Sequence, residues 1–233
     1  FTLTDTFRSR LMAVINNVMY PMYGKKQDDP SALKRYYLKV VHYNSIVIYP
    51  IMVALITFSE PVISLCFGEK WDTAVVPLKI MALAVMFHML VNSNTALIRG
   101  MGRPDLEMKL QLIKSLIFVP TLAVGIHYYG IEGAATAVLI NKILAVLIAQ
   151  FTFNRLLHMR ITTIEFIRVV KAPWIASAVA FLTGHLLFGR LDVHFTGALA
   201  AQVVAYGTTI WLLMGKELKM QVTQLRLAKA KHI

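Results

Sequence analysis

GAATAVLINKILAVLIAQFTF, residues 133–153, is the stretch whose reading decides the fold. It carries one charge, Lys142, and it is as long as the ~20 residues a helix needs to cross ~30 Å of hydrocarbon. Five further apolar stretches, at 42–59, 75–96, 110–128, 173–189 and 196–215, repeat the pattern. A seventh and more polar candidate lies at about 3–22, where Leu3, Phe7, Leu11, Val14 and Val18 share one helical face and Asp5, Arg10, Asn16 and Asn17 share the opposite arc. In lipid every backbone polar group must be bonded within its own element. The expected fold is therefore all-α, a polytopic transmembrane helical bundle of about 7 spans.

Composition agrees. The 233 residues are 57% hydrophobic and 15% charged, against about 25% charged in a soluble domain. The net charge of +12 does not point to nucleic acid, because the basic residues sit in short connections between apolar stretches. The connections near 23–41, 97–109 and 154–172, with the tail 216–233, hold 17 of the 24 Lys and Arg. The connections near 60–74, 129–132 and 190–195 hold 2. Positive residues stay on the cytoplasmic side, so the first set and the C-terminus are read as cytoplasmic. Seven spans then put the beginning of the chain outside. With Phe1 rather than Met in first place, the chain is expected to be the C-terminal portion of a longer protein. A single cysteine, Cys66, excludes an internal disulfide framework.

Ionisable groups inside spans are costly and by default face the bundle interior, a partner or water. Arg8 and Arg10 lie about 18–21 Å from the cytoplasmic end of the first span, at 1.5 Å per residue. They form either a cationic wall for an anionic substrate or, with the span shifted, an outer-interface pair reaching headgroups. Asp5 stands three residues before Arg8 and can pair with it. Lys142 sits mid-span beside Asn141 among small residues, which suits a watered groove or a carbonyl partner on another helix. Lys114 is closer to the cytoplasm and has the option of reaching it. His88, Asn92, Thr95 and Arg99 fall on one stripe of the third span, and Gln111, Lys114, Thr121 and Gly125 extend the idea in the fourth. Such stripes mean interhelical hydrogen bonds or a wet lumen. Pro50 and Pro120 lie inside spans as packing kinks or as hinges. No second ligand stands at metal spacing from His88, and no paired membrane carboxylates or Ser/His/Asp set is present, so no enzyme activity is expected.

Further features carry a family likeness. They are Val18-Met19-Tyr20-Pro21-Met22-Tyr23, Gln27-Asp28-Asp29, Leu33-Lys34-Arg35-Tyr36-Tyr37, Phe67-Gly68-Glu69-Lys70-Trp71, Gly100-Met101-Gly102-Arg103-Pro104 and Gly130-Ile131-Glu132-Gly133-Ala134, in that order. Through about residue 155 the chain resembles the Wzx-type polysaccharide exporters, O-antigen-like flippases of the multidrug/oligosaccharidyl-lipid/polysaccharide (MATE-like) superfamily. The resemblance implies the C-lobe of a MATE-like flippase fold: a core at 1–153, a cytoplasmic interfacial connection at 154–172, an accessory helix pair at 173–215 and a basic tail at 216–233. It implies transport of undecaprenyl-diphosphate-linked oligosaccharide across the bacterial inner membrane by alternating access. The resemblance implies cationic residues in a cavity to meet the diphosphate; the candidates read from the spans are Arg8, Arg10, Lys114 and Lys142, with Asp5, Asn17, His88, Asn92 and Asn141 as polar lining. The implied partners are the bilayer, the lipid-linked oligosaccharide, the missing N-terminal lobe, a polymerase and glycosyltransferases. No cofactor is expected, and a coupling proton or sodium ion stays open. Two other readings compete. A MATE-like multidrug or cation exporter expects membrane carboxylates, and an envelope-synthesis transferase expects a catalytic acid, base or metal cluster.

Overall fold

The structure, a computed structural model, describes Tyr23 and residues 29–156, 161–191 and 193–230. Arg8, Arg10, Asp5 and Asn17 lie outside the described residues. The described residues form helices and short connections and contain no strand. Five segments are long and apolar enough to cross a membrane: Pro30–Thr57, Glu69–Gly100, Pro104–Arg155, Ile164–Gly189 and Phe195–Gly215. The chain divides into two compact units, one up to Val170 and one from Lys171.

In the first unit, α1 spans Pro30–Thr57. Its start is fixed by Asp29, whose carboxylate accepts from the Ala32 N–H at 2.9 Å, and by Pro30, whose preset φ suits a first helical position. Pro50 stands inside it without ending it. A short α2, Ser59–Phe67, stops at Gly68, whose φ of 85° is left-handed, and a 3₁₀ turn, Glu69–Ala74, follows. The third apolar stretch then divides into α3, Val75–Met89, and α4, Asn94–Gly100. Between them Leu90, Val91 and Asn94 donate to carbonyls three residues back, at 3.0–3.1 Å. The helix tightens there to 3₁₀-type bonds beside the polar run Asn92-Ser93-Asn94. The sequence reading has one uninterrupted span over 75–96, and this tightening is the departure from it.

The fourth and fifth apolar stretches form one helical element, α5, Pro104–Phe151, folded back at Gly130, whose φ of 55° and ψ of −132° are non-helical. Two contacts prove the reversal. Gly125 and Gly133 meet backbone to backbone, and a Cβ built on Gly125 would stand 2.5 Å from the Gly133 carbonyl oxygen. Farther along, Asn141 Nδ2 donates to the Lys114 carbonyl at 3.4 Å. In a straight helix those last two residues would be about 40 Å apart. The five segments thus make six crossings among the described residues, matching the six long apolar stretches.

α1 packs on α3, and α3 packs on the hairpin α5. Met81 and Ala84 of α3 meet Ala135 and Val138 of the second arm, with Phe118 of the first arm beside them. Ala135 and Ala137 are 4% and 2% exposed, so small residues allow the close approach that Gly and Ala enrichment leads one to expect. A π-helical turn, Thr152–Leu156, follows α5. Helix α6, Thr163–Gly189, runs on through Pro173, so the part of the 154–172 connection from Thr163 is continuous with the next span. Its first turns are tied within the unit by Lys34–Glu165 at 2.6 Å and by His42 Nδ1 with the Val169 carbonyl at 2.6 Å.

The second unit holds the rest of α6 and α7, Phe195–Ala230. On α7, Ala198, Gln202, Tyr206, Ile210 and Met214 are all buried. Their spacing of four makes a single protein-facing stripe. On α6, Ala176, Ser177 and Ala180 are buried likewise.

Candidate functional site: a cationic cavity within the bundle

A cavity of about 440 Å³ opens between α3 and α4 on one side and the two arms of α5 on the other. Helical spacing assembles its walls. On the first arm Glu107, Gln111, Lys114, Ser115 and Phe118 recur every three or four residues and so point one way. On the second arm Asn141, Lys142, Ala145 and Ala149 do the same. From α3, α4 and the tightened turn come His88, Asn92, Asn94 and Thr95.

The two lysines share one level. The Asn141–Lys114 bond sets Lys142 beside Lys114 across the hairpin. Lys114 is ten residues into α5, about 15 Å from its start at 1.5 Å per residue. The apolar part of that arm begins only at 110, so on the topology that the basic connections lead one to expect, Lys114 lies about 6 Å inside the hydrocarbon, nearer the cytoplasmic face. An isolated lysine at the centre of a span costs about 2.5–3.5 kcal/mol, and less toward its end. Two at one level are tolerated because both border a polar hollow, where water or an anion meets the charge.

The tightened turn is held from α1. The Tyr37 hydroxyl lies 2.9 Å from the Leu90 carbonyl and 2.9 Å from Asn94 Oδ1, and Phe153 packs edge-on against the Tyr37 ring at 4.8 Å. Asn92 lines the cavity with its Nδ2 buried and not hydrogen-bonded. At the end of the cavity that the charges assign to the cytoplasm, Arg99 grips Glu107 at two points, Nε to Oε2 at 2.5 Å and Nη2 to Oε1 at 3.0 Å. Among the described residues no group of three or more His, Cys, Asp or Glu is placed to hold a metal ion.

The expected site residues divide accordingly. Lys114, Lys142, His88, Asn92 and Asn141 come together around one cavity. Thr121 instead bonds back to the Ile117 carbonyl at 2.8 Å, and Gly125 serves helix contact. The structure adds Asn94, Glu107, Ser115 and Thr152 to the lining. The stripe running from Glu107 through Gln111 and Lys114 was the signal for one of them, Glu107, hidden because it falls in a connecting segment.

The family described as "Polysaccharide biosynthesis protein" matches residues 1–76. Among curated relatives, a membrane protein in the cps region of Klebsiella pneumoniae is 28% identical over 143 residues, covering 61% of this chain and 30% of that protein. The lipopolysaccharide biosynthesis protein WzxC of Escherichia coli is 25% identical over 142 residues, 61% of this chain and 29% of its own. The teichuronic acid biosynthesis protein TuaB of Bacillus subtilis is 27% identical over 97 residues, 42% and 20% respectively. The chain thus spans about a third or less of the relatives it matches. No solved structure matches it. Helices able to cross a membrane several times, together with these likenesses, make the chain a multi-pass membrane protein similar to Wzx-type polysaccharide biosynthesis proteins.

Proposed function

We propose that this chain is part of a flippase that carries polyprenyl-diphosphate-linked oligosaccharide across the bacterial inner membrane by alternating access. One observation supports the reading: Lys114 and Lys142 border the same cavity, among Asn92, Asn94, Gln111 and Asn141. The ammonium groups answer a diphosphate, and the amides supply the donors and acceptors that sugar hydroxyls need. The proposed role is transport rather than catalysis.

In this reading residues 1–153 form the transport core, with Arg8 and Arg10 adding positive charge and Asp5 and Asn17 adding polar lining. Residues 154–172 connect it to an accessory pair at 173–215, and the basic tail 216–233 meets anionic headgroups. The remaining lobe of the same protein completes the cavity, and the glycosyltransferases and polymerase of the same polysaccharide are functional neighbours.

Lys142→Ala and Arg8→Ala, each placed in the full-length protein, are expected to abolish surface polysaccharide at unchanged protein level. Unchanged polymer display in both overturns the assignment. The cation-exporter reading gains a membrane carboxylate in Glu107, but Arg99 already neutralises it. A growth panel with toxic cations separates the two, since only an exporter changes tolerance.

A further inference from the structure

We propose that Arg99 is a masked anion site at the mouth of the cavity, held by Glu107 until a phosphate group of the incoming ligand takes the carboxylate's place. The inference rests on the anionic-ligand reading above and adds to it a first station that the lysines do not provide.

The geometry is an exchange geometry. Arg99 offers Nε and Nη2 side by side, and Glu107 fills both with its two oxygens, at 2.5 and 3.0 Å. A phosphate presents the same pair of oxygens at the same spacing, so it fits the fork without rebuilding it. The pair is also reachable. The Arg99 side chain is 57% exposed and that of Glu107 19%, so water and solutes contact it and the pair is of the weakly stabilising, exposed kind. A phosphate group with more than one negative charge competes well for such a guanidinium.

The displaced carboxylate is not an idle surface group. Glu107 lines the cavity on the stripe that continues through Gln111 to Lys114, which lies seven residues, or about 10 Å, deeper. Arg99 stands in the last turn of α4 directly after Ile98, itself a lining residue. The turn between α4 and α5, with Gly102 at φ 69° and Pro104 opening α5, holds the two side chains face to face. An anion captured by Arg99 therefore stands at the opening of the hollow that holds Lys114 and Lys142. Freed Glu107 then swings into the mouth, where its charge repels a second anion.

The test is a double-mutant cycle on pyrophosphate binding. The protein is reconstituted in zwitterionic nanodiscs, and affinity is read by equilibrium dialysis. Glu107→Gln unmasks Arg99 and is expected to tighten binding about two- to fivefold, the range that releasing an exposed ion pair allows. Arg99→Gln is expected to weaken binding, and in that background Glu107→Gln is expected to give no gain. Arg99→Lys, which keeps the charge but loses the fork, replaces Arg99→Gln if that variant does not fold. A gain from Glu107→Gln that persists without Arg99 overturns the proposal, because it would be the plain loss of a nearby negative charge. An unchanged or weakened affinity in Glu107→Gln overturns it as well. If binding depends on Lys114 and Lys142 but not on Arg99, this proposal alone falls. If the wild-type protein binds no pyrophosphate, the cavity reading falls with it.

Discussion

Replacing Gly133 by alanine tests the hairpin on which the cavity depends. A Cβ at Gly133 runs into the Gly125 carbonyl oxygen, stands 2.5 Å from its carbon and 2.9 Å from the Tyr129 Cβ. All three are backbone atoms or a rigidly attached Cβ that cannot rotate away, so the arms must part by roughly an ångström. Overpacking of this kind costs about 1–3 kcal/mol. Replacing a helical glycine returns at most about 1 kcal/mol, so the expected net loss is up to about 2 kcal/mol, and the gap to a control that receives the same return is about 1–3 kcal/mol. Gly207→Ala is the control. It too is a helical glycine, but nothing lies within 4 Å of its built Cβ, so its expected change is neutral or stabilising. Unfolding by SDS in mixed micelles, followed by tryptophan fluorescence, compares the two. The site supplies a second readout. The Asn141–Lys114 bond is already 3.4 Å long, so parting the arms breaks it and weakens anion binding. A Gly133→Ala protein as stable as Gly207→Ala would refute the close backbone contact and the shape of the cavity built on it.

Two further outcomes follow from the structure. Tyr37→Phe removes the hydroxyl that serves Leu90 and Asn94, at an expected cost of about 1–3 kcal/mol for the buried groups left behind; hydrogen exchange should rise first at residues 90–94, and unchanged protection there would contradict a lock at that turn. Cys66 is exposed, beyond α1 from the cytoplasmic loops, so a membrane-impermeant maleimide added outside intact cells should label it, whereas labelling only after lysis would invert the topology.

Much of the architecture was readable from residue order alone. Apolar length marked six helical stretches long enough to cross a membrane, and the charge asymmetry between connections gives the faces expected of them. The hairpin at Gly130 was equally plain, since Tyr129-Gly130 interrupts two apolar stretches with the residue that tolerates a positive φ. The tightened turn at residues 90–93 was not. It contains neither glycine nor proline, and its cause is tertiary: Tyr37, more than fifty residues earlier, accepts the task of bonding the Leu90 carbonyl. Lys114, Lys142, Asn92 and Asn141 stood out because polar groups are conspicuous in spans. That all of them border one cavity was not legible, since it depends on the register of the two α5 arms. That register is set by the Gly125–Gly133 contact. Glu107 escaped notice for the opposite reason, as an acid in a polar loop draws no attention until its helix is seen to point it inward.

The shared depth of Lys114 and Lys142 has an electrical consequence. In the proposed transport, a doubly negative cargo drawn from the cytoplasmic face to the level of Lys114 crosses about a fifth of the transmembrane voltage, since that residue lies about 6 Å into ~30 Å of hydrocarbon. For a 100 mV drop, negative inside, this favours the step by about 1 kcal/mol, because one full charge across the whole drop is worth about 2.3 kcal/mol. The resting voltage of an energised cell thus pulls such a headgroup inward from its leaflet and onward to the far side, and collapsing it would slow the stage beyond the lysines more than the stage before them.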